Sequence, residues 1–104
     1  MTAELLIKVN AKLGYTVLNK SLVGSAVSSW HYYNTPKEQI SSIVGAIIKN
    51  HPFQDGNKRT ATVVYYTLCK IANLQAKPDS KMLLIVVDIA ENQYDVAALT
   101  KILF

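Results

Sequence analysis

His51-Pro52-Phe53-Gln54-Asp55-Gly56-Asn57-Lys58-Arg59-Thr60-Ala61 runs without a break into Thr62-Val63-Val64-Tyr65-Tyr66-Thr67-Leu68-Cys69-Lys70-Ile71-Ala72-Asn73-Leu74. The second half is apolar nearly all round. That predicts a helix over Asn57 to Leu74 that runs through the core. The first half gathers a histidine, an acid, a glycine, an amide, two cations and a hydroxyl ahead of that helix. Gly56 can take a positive φ and let the backbone approach a ligand. A helix N-terminus carries outward N–H groups and partial positive charge, which suits an anion. Lys58 and Arg59 fall in the first turn, the end where the helix dipole disfavours cations. A phosphate would compensate both. Asp55, just ahead, is suited to hold Mg²⁺ against phosphate oxygens. His51, four residues before Asp55, is suited to accept a proton from a hydroxyl. Base, metal carboxylate and phosphate cradle in one loop point to transfer of a phosphorus group from a nucleotide.

Upstream, Thr35-Pro36-Lys37-Glu38 is a helix start: Thr35 caps, Pro36 suits the first helical position and Glu38 completes a capping box. Ile40, Ile43, Val44, Ile47 and Ile48 follow at helical spacing, so this segment presents one apolar face. Gly45 and Ala46 allow a neighbouring helix to come close. Lys49 and Asn50 close the helix, and Pro52 prevents its continuation. Further towards the N-terminus, Thr2 to Leu13 reads as a helix with Leu5, Leu6, Val9 and Leu13 on one face. Tyr15 to Lys20 is irregular, and Leu22 to Trp30 reads as a helix weakened by its serines. Downstream, Lys77-Pro78-Asp79-Ser80 is a break and a new start. Lys81 to Glu91 fits either a buried strand or a helix by residue type; its length, its start and the lack of a partner strand favour helix. Asp95 to Leu103 reads as the last helix. The expectation is an all-α fold: one compact domain over residues 1–104, its motif loop leading into a central buried helix.

The motif resembles the signature of the Fic/Doc proteins, H-x-F-x-D/E-G/A-N-G/K-R. His51, Phe53, Asp55, Gly56, Asn57 and Arg59 fall on it. Lys58 stands where the protein-adenylylating Fic enzymes have a second glycine, and Thr62 where they usually have a second arginine. Both departures resemble the Doc ("death on curing") branch, toxins that act as protein kinases. The resemblance is sharp over Ile40 to Leu74 and general elsewhere. It implies a Fic-type helical domain that moves the γ-phosphoryl group of ATP, with Mg²⁺, onto a Ser/Thr hydroxyl of a target protein. His51 would be the catalytic base, and Asp55 the metal ligand. Gly56, Asn57, Lys58 and Arg59 would bind the nucleotide phosphates. It also implies a toxin–antitoxin setting in a bacterial cytoplasm, an antitoxin partner, and a translation factor as target. The rival chemistry is transfer of AMP. A second rival is a non-catalytic helical binding module that retains the motif. In the family, the segment before the motif carries a flap that positions the target.

Composition bounds the rest. A chain of 104 residues with half its residues hydrophobic has room for one core. No apolar run reaches the length of a membrane span, and no signal peptide is visible at the N-terminus. The single cysteine, Cys69, cannot form an internal disulfide, which fits a reducing cytoplasm. A net charge of +4 is compatible with phosphate ligands or acidic partners. The basic residues outside the motif are scattered, which argues against direct nucleic-acid binding. Cys69 is expected to be an inert core residue, Phe53 an apolar anchor, and Trp30, Tyr32 and Tyr33 packing residues; His31 is expected in the core or on the surface. Glu91-Asn92 partly resembles the inhibitory Ser/Thr-x-x-x-Glu-Gly/Asn pattern of some Fic enzymes, but Val87 stands where Ser or Thr is needed.

Overall fold

The computed structural model describes residue 8 and residues 20–50 and 56–104. The expected helix Thr2 to Leu13 (Lys8 excepted), residues 15–19 and the motif residues His51, Pro52, Phe53, Gln54 and Asp55 lie outside the described residues. The described residues form five helices and no strand: α1 Lys20–Tyr32, α2 Pro36–Asn50, α3 Asn57–Ile71, α4 Asp79–Glu91 and α5 Val96–Leu103. The fold is all-α, as the periodicity predicts. The ambiguous segment before Glu91 is helix.

α2 is the element the others share, and among the described helices it touches each of the other four. Its start follows from its sequence. Thr35 Oγ1 accepts the Glu38 N–H at 3.3 Å, and its hydroxyl donates to Glu38 Oε1 at 2.7 Å. Ile40, Ile43, Val44, Ile47 and Ile48 are all buried. Ser41, Ser42 and Gly45 are buried as well, because α2 is covered on more than one side. Ser41 donates to the Lys37 carbonyl at 2.7 Å, so the buried hydroxyl is satisfied inside its own helix. At Gly45 a Cβ would lie 2.6 Å from Leu99 Cδ1. The missing side chain is what lets α5 settle on α2.

α3 is buried along Asn57, Thr60, Ala61, Val64, Tyr65, Leu68 and Cys69, an i, i+3, i+4 stripe turned to the core. It stops at Ile71, three residues before the expected end at Leu74. Asn73 takes a left-handed φ of 57°, its N–H meets the Lys70 carbonyl, and the Leu74 N–H meets the Cys69 carbonyl at 2.8 Å. These are the two bonds that close a helix through a left-handed residue. The far end of α3 is locked by Tyr65, which is fully buried. Its hydroxyl donates to the Leu103 carbonyl at 2.7 Å and accepts the Lys77 N–H at 2.8 Å. α5 starts at Asp95, whose Oδ1 accepts the Ala98 N–H at 2.8 Å. Trp30 packs against the core as expected. Tyr32 does not: it is 80% exposed, and its ring lies edge to face with Tyr33 at a centroid distance of 5.1 Å. His31 is exposed on the same helix end.

Candidate functional site

The described part of the motif is the junction into α3. Gly56 has φ 71° and ψ 21°, the left-handed region that a Cβ disfavours. Its carbonyl accepts the Thr60 N–H at 2.8 Å, the first bond of the helix. The chain thus enters α3 through a tight left-handed corner. The first turn then divides by helical geometry: Asn57 and Thr60 turn inward and are buried, while Lys58 and Arg59 stay exposed. No acidic residue lies in that turn. One ammonium and one guanidinium group therefore stand at the positive end of the helix dipole, in a turn that holds no carboxylate. That arrangement can receive an anion. The expected phosphate ligands Gly56, Asn57, Lys58 and Arg59 occupy one turn. His51 and Asp55 lie outside the described residues, so their position relative to this turn stays an expectation.

Thr62, half-buried one turn further on, donates its hydroxyl back to the Lys58 carbonyl at 2.9 Å. The position adds no cation to the turn. Cys69 is buried, and that burial pushes its thiol up, away from the reactive thiolate.

The approach to the motif is fastened from the other side by Lys49, two residues before His51. Its Nζ donates to the Asn92 carbonyl at 3.0 Å and to the Ala90 carbonyl at 3.2 Å. α4 ends there with Asp88 and Glu91 in its last turn and no basic residue of its own. Those acids sit at the negative end of the dipole, and Lys49 supplies the cation that the helix lacks. Sequence reading took Lys49 only as a helix terminator. Its partners are 41 and 43 residues away, and no local pattern announces them. Beside it opens a groove of about 230 Å³ between α1, α2 and the α4–α5 connection, walled by Ser29, Ser42, Lys49, Asn92 and Tyr94. Tyr94 donates to Asp88 at 2.9 Å, which fixes the connection and holds the phenol above its usual range.

Among the described residues no helix is long and apolar enough to cross a membrane. The model of the Fic/DOC family matches residues 4–69, from ahead of α1 to nearly the end of α3. No significant match to a curated protein was found. The helices α4 and α5 lie beyond the matched segment, yet they supply Met82, Val86, Ile89, Leu99 and Leu103 to the same core.

Proposed function

The chain belongs to the Fic/DOC family, and from that premise we propose that it transfers the γ-phosphoryl group of ATP to a Ser/Thr hydroxyl of a target protein. The family is one of protein-modifying enzymes, typically nucleotide-dependent transferases. The finer reading is supported most by the first turns of α3. Lys58 and Arg59 are exposed at the helix tip, and Thr62, where adenylylating relatives usually carry a second arginine, is turned onto the Lys58 carbonyl. A site with a threonine in place of the second arginine, and a lysine in place of the second glycine, moves a cation within the motif and resembles the kinase branch.

The donor chemistry of the turn fits a polyphosphate: a left-handed glycine, a helix tip and two exposed cations in a first turn that holds no acidic residue of its own. ATP, when bound, supplies the phosphoryl group, and Mg²⁺ neutralises its oxygens. Asp55 would hold the Mg²⁺. Gly56 and Asn57 would bring donors to the phosphates, and Lys58 and Arg59 would offset the charge that builds on the transferring group. His51 would accept the proton of the attacking hydroxyl. The phosphoryl group would leave ADP and form its new bond to the target oxygen. A toxin role under an antitoxin, with a translation factor as target, follows from the resemblance to the Doc branch alone.

Incubating the protein with a cell extract and ATP labelled at either the γ- or the α-phosphorus tests this reading. Label on a protein from the γ-position only, abolished by His51→Ala, is the expected result. Label from the α-position would mean AMP transfer. No label from either position would leave a binding module.

A further inference from the structure

α4 has two faces. Met82, Val86 and Ile89 turn into the core, whereas Leu83, Leu84 and Val87 stand 70%, 74% and 43% exposed. An apolar stripe of that kind, framed by charges, marks an interaction face. Ser80, Leu84, Val87 and Glu91 follow one another at steps of four, three and four, the register of a coiled-coil seam. The charges beside the seam indicate what covers it. Lys81 and Asp88 are seven residues apart and so share one flank. When two copies of α4 pack antiparallel about a two-fold axis, that flank meets itself in reverse. Lys81 of each copy then faces Asp88 of the other. The same packing sets Leu84 level with Val87 and the Ser80 hydroxyl level with the Glu91 carboxylate, with Lys81 and Asp88 offset along the axis by about 3 Å, within reach of a lysine side chain. A parallel pairing would put Glu91 beside Glu91 and align the two helix dipoles; the antiparallel pairing opposes them. Asp88 is already steadied by Asn92 Nδ2 at 2.8 Å and by the Tyr94 hydroxyl, and a carboxylate has acceptor capacity beyond those bonds.

We propose that this face is a homodimer interface, in which two copies join through antiparallel α4 helices with reciprocal Lys81–Asp88 ion pairs. A single pair of short helices buries less than a standard interface, so the dimer forms in a concentration-dependent way. The proposal does not depend on the chemistry at the motif.

Sedimentation equilibrium tests it. The wild-type chain is expected to shift from 11.5 kDa towards twice that mass as concentration rises. Lys81→Asp and Asp88→Lys each place like charges opposite one another, so each alone is expected to be monomeric. An equimolar mixture of the two is expected to dimerise, because their flanks are opposite in sign. Leu84→Asp is expected to stay monomeric in every mixture. Circular dichroism checks that each variant keeps its helices. High salt, which needs no substitution, is expected to weaken the wild-type dimer. A wild-type chain that stays at 11.5 kDa throughout overturns the proposal. Variants that dimerise like wild type, or a mixture that stays monomeric, overturn the antiparallel register.

Discussion

The Lys49 ammonium donates to the backbone carbonyl of Asn92 at 3.0 Å, tying the last turn of α2 to the end of α4. It joins the part of the chain that leads into the motif to a helix outside the matched family segment. The contact stabilises the fold by placing a cation on the backbone carbonyls at the negative end of α4. Lys49→Met keeps most of the stem packing and removes both bonds. The expected loss is about 1–2 kcal/mol for charge-assisted bonds at a half-exposed site, read from urea unfolding.

Tyr65→Phe isolates the other lock. The phenol joins the Leu103 carbonyl and the Lys77 N–H, and both Tyr65 and Leu103 are fully buried. Removing the hydroxyl leaves a buried carbonyl without its donor, which costs about 1–3 kcal/mol. Thermal unfolding should report it, with the helical content of the folded state unchanged.

Gly45→Ala sets helix propensity against packing. Alanine favours the helix by up to about 1 kcal/mol. The new Cβ would meet Leu99 Cδ1 at 2.6 Å, and overpacking of this kind costs about 1–3 kcal/mol. The net effect is a small destabilisation. In the Leu99→Ala background the same substitution should turn neutral or stabilising, so the double-mutant cycle should show clear coupling.

Alkaline pH should weaken the fold. Burial, with Asp79 beside it, pushes the Tyr66 phenol from 10.0 up to about 12. Burial raises Tyr65 too. The folded state therefore holds these protons more tightly than the unfolded chain. Their contribution is complete below pH 10.0 and is lost as pH rises towards about 12. Urea midpoints measured across that range should fall, and Tyr66→Phe should flatten the fall.

Much of this architecture was legible in the residues. The isoleucine and valine spacing of α2 and the Thr35-Pro36 start act locally, and Gly45 marks a place of close approach by its size alone; each appears as read. The end of α3 was read too far. Leu74 continues the apolar pattern, but Asn73 turns left-handed and closes the helix first. Tyr32 was read as packing because aromatic residues usually are; at the last position of α1 it points past the edge of the core. Lys49 and Tyr65 were illegible in role, since their partners are brought in by the tertiary fold. Of the site, the order of residues was plain and the junction at Gly56 bears out its positive φ. How His51 and Asp55 face that junction depends on residues outside those described.

The central claim is that the tip of α3 grips a nucleotide polyphosphate. Calorimetric titration of ATP with Mg²⁺ into the wild-type chain, the Arg59→Ala variant and the Asp55→Ala variant tests it directly. The account predicts saturable binding by the wild type. It also predicts at least about a tenfold weakening in Arg59→Ala, the size expected for a lost hydrogen bond to a charged group, and loss of the magnesium dependence in Asp55→Ala. A wild-type chain that is folded yet binds no ATP with Mg²⁺, or an Arg59→Ala variant that binds as tightly as wild type, would contradict it.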